Sequence, residues 1–163
     1  FYLDECAKKM GHDPRVILSG RQINDAMGPY VADVIHASLT KAGTVKARIL
    51  LLGFTFKENI NDIRNTKVVD VYNTLKKLGH DVDIHDPFAD EGEVRHEYGL
   101  SVLRTLPTDT KYDCVTALVC HDVYRQMPEI SVVELLKDNG IVFDMKAMWK
   151  DKDFGQTVSY VTI

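Results

Sequence analysis

The chain has 163 residues, 45% of them hydrophobic and 27% charged, proportions of an ordinary globular protein with room for one core. A formal net charge of −4 argues against a nucleic-acid-binding surface, which would normally be basic. No apolar run approaches the roughly 18 residues that would cross a bilayer, and no basic-then-apolar leader stands at the start.

The elements follow in chain order. Residues 1–11, "FYLDECAKKMG", read as the end of a helix closing on lysines and a glycine. Because the sequence opens inside that helix and not at methionine, it reads as a fragment of a longer protein. In "GRQINDAMGPYVADVIHASLTKAG" the apolar positions Ile23, Met27, Val31, Val34, Ile35 and Leu39 recur at three and four, a helical face. Gly28 and Pro29 interrupt it, which predicts either a kink or two consecutive helices. "ARILLLG" is a continuous apolar run, as in a strand buried on both faces. An amphipathic helix follows in "TKVVDVYNTLKKLG", a strand in "DVDIHDP", a short helix in "DEGEVRHEYG" and an edge strand in "LSVL". "YDCVTALVC" predicts a central strand, "VVELLKD" a helix, and "GIVFDMK" and "TVSYVTI" the last two strands. Strands alternating with helices imply a parallel sheet with right-handed crossovers. The expected fold is therefore α/β: a helical segment over 1–44, then a Rossmann-like sheet over 45–163.

In open parallel sheets ligands bind beyond the carboxyl ends of the strands. Three segments should converge there: "GFTFKENINDIRNT", "LVCHD" and "FDMKAMW". The first is longer and more polar than a simple connector. It has one glycine where a dinucleotide site would carry G-x-G-x-x-G. It offers Lys57 and Arg64 as phosphate-binding cations, Phe54 or Phe56 as a face for a base or ribose, and a helix start near Asn65–Thr66 whose N–H groups favour an anion. The alternative is a solvated loop with an Asp62–Arg64 contact and phenylalanines in the core. Lys146 reads as a second cation facing Lys57 or as a plain exposed lysine. Asp86, at the position of a ribose-binding carboxylate, reads as a turn-initiating residue before Pro87. Cys120-His121-Asp122 lists nucleophile, base and orienter, but neighbours in sequence do not form a triad, so it reads as a strand end. The three cysteines form no C-x-x-C pair and suggest reduced thiols of a cytoplasmic protein, with Cys114 in the core. No spacing suggests a metal site.

The stretch "GFTFKENINDIRNTKVVDVYNTLKKLGHDVDIHDP", with the distant D-x-K of "FDMK", resembles the UDP-sugar-binding C-terminal domain of the UDP-glucose/GDP-mannose dehydrogenase family. "SGRQINDAMGPYV" is similar to the family's long central helix, and the wording is most similar to the bacterial branch acting on UDP-N-acetylglucosamine or UDP-N-acetylgalactosamine for surface polysaccharides, the Vi antigen type. The resemblance implies a UDP-sugar 6-dehydrogenase that oxidises the C6 alcohol to the carboxylate. It would use two NAD per sugar and a cysteine that captures the aldehyde. It implies Phe56, Lys57 and Lys146 at the UDP-sugar, Asp62 orienting Arg64, and Arg64 reaching toward NAD held mainly by another domain. It implies a homodimer through the helix over 20–43. The family's catalytic cysteine lies in a glycine-rich motif upstream of Tyr2–Leu3, so Cys6 does not match it. No catalytic residue is expected in this chain, and it is expected to be inactive alone. A UDP-glucose dehydrogenase fragment, or a non-catalytic nucleotide-binding or dimerisation module, remain as alternatives.

Overall fold

A computed structural model describes residues 15–163. The helix end read at 1–11, with Cys6, lies outside the described residues. The chain runs α1 (Arg15–Lys41), β1 (Arg48–Leu52), α2 (Val68–Lys77), β2 (Asp81–His85), α3 (Glu91–Tyr98), β3 (Tyr112–Ala117), α4 (Asp122–Arg125), α5 (Glu129–Glu134), β4 (Leu136–Asp144) and β5 (Ser159–Thr162). The five strands form one parallel sheet in the order β2-β1-β3-β4-β5. The expected Rossmann-like α/β fold is what the structure has.

The apolar run of β1 follows from burial on both faces. Ile49 and Leu51 point to a core shared with α1, α2 and α3, while Leu50 and Leu52 point to a second core with Tyr124, Val132, Trp149 and Phe154. Alternate residues of a strand face opposite ways, so a sheet covered twice needs no polar alternation. α2 is ended by Gly79, and α3 is capped by Asp90, whose side chain accepts the Glu93 N–H.

Two expected elements are corrected and one alternative is closed. At Gly28–Pro29 the two-helix alternative is excluded: α1 is continuous with Pro29 inside it. Val31, Ala32, Ile35 and Leu39 bury its second half in the core and outweigh the lost hydrogen bond. Gly28 is needed for another reason, since a Cβ there would come within 2.4 Å of the Asp70 Cβ on α2. "LSVL" forms no strand, only one bridge between His85 and Leu103. The helix expected in "VVELLKD" stops at Glu134, and Leu136 already pairs with Tyr112 as the start of β4. The helical face drawn through Ile23, Met27, Val31 and Ile35 is divided: Val31 and Ile35 are buried within the chain, while Ile23 is 66% exposed.

The chain passes from β1 to β2 on one side and from β3 to β4 on the other. The carboxyl ends of β1 and β3 are thus the switch point where a crevice opens in such sheets.

Candidate functional site

The loop leaving β1 is fixed at its root by a carboxylate from the neighbouring strand. Asp86, fully buried at the end of β2, accepts the N–H groups of Phe54 (2.6 Å) and Thr55 (2.9 Å) on Oδ2 and of Phe88 (2.8 Å) and Ala89 (3.3 Å) on Oδ1. His121 Nε2 lies 3.0 Å from the same Oδ2. Burial alone would raise the pKa of such a group. The hydrogen bonds from His121 and from the Thr55, Phe54 and Phe88 amides outweigh it and hold the carboxyl well below the usual carboxylate range. The turn-initiating role expected from Asp86-Pro87 is present in the bonds to Phe88 and Ala89. The larger role, a hub joining three loops, is a correction.

His121 is fully buried at the end of the β3 segment. Its Nδ1 accepts the Asn59 N–H at 2.9 Å. A backbone N–H can only donate, so Nδ1 carries a lone pair and Nε2 carries the proton directed at Asp86. Thr55 Oγ1 agrees: it donates to the Lys57 carbonyl at 3.0 Å and stands 3.2 Å from Nε2 as an acceptor. Asn59 has φ +61, a left-handed conformation tolerated by asparagine, and its Oδ1 accepts the Asp122 N–H at 2.9 Å. Cys120-His121-Asp122 is thus no triad. The middle residue serves the opposite loop.

The tip held by these bonds carries the predicted ligand-binding side chains. Phe56 is 52% exposed, while Phe54 is buried edge-on against Tyr98. Only Phe56 is therefore free to face a ligand. The Phe56 N–H closes the loop on the Asp62 carbonyl at 2.7 Å, and Lys57 Nζ stands 5.7 Å from the Phe56 ring centroid. Phe56 and Lys146 line one cavity of about 170 Å³ whose other walls include Val31, Val68, Val119 and Met145. Lys146 is placed by Asp144, buried at the end of β4, which accepts the Lys146 and Trp149 N–H groups at 3.3 and 2.7 Å. Its Nζ meets Glu58 Oε1 at 2.6 Å, a loop-to-loop ion pair across the crevice.

Arg64 is turned elsewhere. Its guanidinium is 82% exposed and forks onto Asp62 with two contacts of 2.9 Å, the orienting contact expected from the sequence. Together they line a separate open cavity of about 620 Å³ with His96 and Glu97 of α3. The structure thus places Phe56 and Lys146 in one crevice, with Lys57 on the exposed tip beside Phe56, and Arg64 in another. The helix start expected near Asn65–Thr66 falls at Val68, and Lys67 in front of it is bonded to Asp25 of α1 at 2.7 Å.

The crevice does not fit the pyrophosphate of NAD. A dinucleotide loop keeps the backbone free to approach the phosphates. Here the Phe54 and Thr55 amides are already occupied by Asp86. Gly53 offers no open cradle either, because a Cβ there would lie 2.4 Å from the Val119 Cβ. Neither described cysteine is an exposed thiol: burial pushes Cys114 up to about 12, and burial also raises Cys120.

Asp86, His121, Asn59 and Asp144 are the loop-positioning residues that sequence reasoning undervalued. Asp86 and Asp144 each end a strand at the same level of the sheet, which was a usable signal. The pairing of His121 with a loop more than fifty positions earlier was not.

A family model described as the UDP-glucose/GDP-mannose dehydrogenase family, UDP binding domain, matches residues 50–151. The chain is 38% identical over 148 residues to the UDP-N-acetyl-D-glucosamine 6-dehydrogenase of Salmonella typhi, covering 90% of this chain and 35% of that protein. It is 39% identical over 150 residues to Protein CapL of Staphylococcus aureus, covering 91% and 35%. It therefore spans about a third of the length of these relatives. The crystal structure of the NDP-N-acetyl-D-galactosaminuronic acid dehydrogenase of Methanosarcina mazei Go1 superposes with a TM-score of 0.79 at 22% identity, over 90% of this chain and 31% of that chain, a likeness of fold.

Proposed function

Since the chain belongs to the UDP-glucose/GDP-mannose dehydrogenase family, we propose that it is the UDP-sugar-binding wall of an NAD-dependent UDP-N-acetylhexosamine 6-dehydrogenase. The parent enzyme oxidises the sugar C6 alcohol to the carboxylate in the cytoplasm, supplying a uronic acid for surface polysaccharide. The observation that carries this reading is the crevice at the switch point. It has an apolar wall, a half-exposed aromatic ring at Phe56 and the cation Lys146, with Lys57 beside Phe56 on the exposed tip and the dinucleotide amides closed off by Asp86. That combination suits a base or sugar face with a diphosphate. The hexosamine choice is supported by the names of the relatives at 38% and 39% identity.

Lys57 and Lys146 neutralise the diphosphate, and Phe56 packs on the nucleotide or sugar. Arg64, exposed on its Asp62 fork, faces the NAD that a domain outside this sequence holds. NAD supplies the hydride-accepting chemistry when bound. These residues supply substrate affinity and orientation, and no reacting group. The exposed side chains of Ile23 and Tyr30 on α1 support the dimer contact.

In the full-length enzyme, Lys57→Ala is expected to raise the UDP dissociation constant at least about tenfold, a loss of ~1.4 kcal/mol typical of one charged hydrogen bond. Arg64→Ala should leave UDP affinity unchanged and raise KM for NAD. Calorimetry with UDP and steady-state kinetics read both. Unchanged UDP binding in Lys57→Ala overturns the assignment of the crevice.

A further inference from the structure

We propose that His121 is a positioning residue for substrate: it holds the Phe56–Lys57 tip in register by accepting the Asn59 N–H on Nδ1 while its Nε2–H is anchored on Asp86. The inference rests on the assignment of Phe56 and Lys57 to the UDP-sugar and deepens it.

The geometry has three parts. His121 cannot itself touch a ligand, being fully buried with both ring nitrogens engaged. The short arch from Thr55 to Asn59 is tied to one carboxylate at both feet. Thr55 N binds Asp86 directly, and Asn59 N binds it through the imidazole. The arch is braced inside by Thr55 Oγ1 donating to the Lys57 carbonyl and outside by Asn59 Oδ1 accepting the Asp122 N–H. What remains outside is the pair of exposed side chains Phe56 and Lys57, with Glu58 half-buried beside them. A fixed backbone removes the ordering cost that a floppy cationic loop would incur on binding a diphosphate. Asn59 sits at positive φ, and its two bonds to His121 and Asp122 at the start of α4 are what keep it there.

The two nitrogens have separable tasks, and this yields a test that a merely structural role would fail. Asparagine places an amide oxygen near the Nδ1 position and can keep the Asn59 N–H. Glutamine places an amide NH₂ near Nε2 and can keep the Asp86 contact. In the full-length enzyme, His121→Asn should keep KM for the UDP-sugar within about threefold while its melting temperature falls, because Asp86 loses a donor. His121→Gln should keep more of the melting temperature yet raise KM about tenfold with kcat little changed, the signature of lost uniform binding. If His121→Asn does not fold, the KM-against-kcat split in His121→Gln decides alone. KM rising in step with the loss of melting temperature in both variants, or an unchanged KM in His121→Gln, overturns the proposal. Lys57→Ala measured alongside separates the two readings. Lost UDP affinity there with normal KM in His121→Gln sinks only the positioning role. Unchanged affinity in Lys57→Ala sinks the substrate site beneath it.

Discussion

The two ends of the sheet each bury a histidine wired in the same way, and they differ in one partner. At the carboxyl ends, His121 accepts the Asn59 N–H on Nδ1 and points Nε2 at Asp86. At the amino ends, His80 accepts the Ala47 N–H on Nδ1 at 3.1 Å and points Nε2 at His36 Nδ1, 2.9 Å away. The first partner is a carboxylate that also holds the root of the ligand loop. The second is another imidazole that only ties α1 to the turn before β2. Both rings use the same tautomer, forced by a backbone donor. The same backbone wiring therefore ties one end to the candidate ligand loop and the other only to α1.

The sharpest way to break this comparison is to remove the partner at each end. Asp86→Ala strands four amides and His121 in the interior. It is expected to cost about 3–5 kcal/mol, the scale for breaking a buried charged network. His36→Ala removes one partly exposed neutral acceptor and should cost about 1 kcal/mol. Urea unfolding at pH 7 reads both, and equal losses would refute the asymmetry. Next in size is Gly53→Ala, which disturbs the site end without touching either histidine. Gly53 has φ +92, and an added Cβ would lie 2.8 Å from the Val119 amide nitrogen. Left-handed strain and overpacking together predict a loss of about 2–4 kcal/mol and a weakened UDP titration.

The asymmetry was only half legible in the sequence. Helices and strands announced themselves through apolar periodicity, which is local, so β1, α2 and β2 were placed with their neighbours. Phe56, Lys57, Arg64 and Lys146 stood out as candidates because they are cations and an aromatic on loops at strand ends. The residues that hold those loops were not visible, because their partners are distant in sequence. Asp86 looked complete as the start of an Asp-Pro turn, and nothing near His121 shows that its partners are Asn59 and Asp86. "LSVL" had strand composition but found only one bridging contact beside β2. Pro29 allowed a kink or two helices, and burial of Val31 and Ile35 on its far side accompanies a single continuous helix.

Acid should weaken the His80 end without mutation, and His85, beside Asp86 at the other end, is lowered by burial in the same direction. Burial, then His36, lowers the pKa of His80; Asp113 and Asp81 act in the other direction without reversing it. The unfolded chain therefore binds a proton near the ordinary histidine value of about 6.5 that the folded chain refuses. Stability from this site is complete above that value and is lost as pH falls toward the depressed folded value. Asp86 is also depressed, but its contribution is present above the ordinary carboxylate value of about 3.9 and persists at pH 5. Lowering pH from 7 to 5 should thus weaken the His80 end while Asp86 keeps its hold. Unfolding free energies of the native chain and of His80→Gln, which cannot titrate, check this. A pH slope that survives the substitution in full would refute it.

The smallest expected effect lies on the surface of the site end. Glu58 and Lys146 pair at 2.6 Å with side chains 37% and 52% exposed. The Lys146 hydrogen bond is the main cause that lowers the Glu58 pKa. On the proposed role of Lys146, a diphosphate must take it from that carboxylate, which makes Glu58 a competitor for a cation that Asp144 has already positioned. Glu58→Gln removes the competitor and leaves the buried wiring intact. An exposed pair of this kind is worth about 0.2–1 kcal/mol, so UDP should bind more tightly by no more than about fivefold. The gain should shrink as salt screens the pair. Calorimetric titration at two ionic strengths reads it, and weaker binding in Glu58→Gln would mean that Glu58 itself serves the ligand. Tighter binding would leave the buried carboxylate at Asp86 to set where the loop stands, and the exposed one at Glu58 to set how readily its facing cation is released.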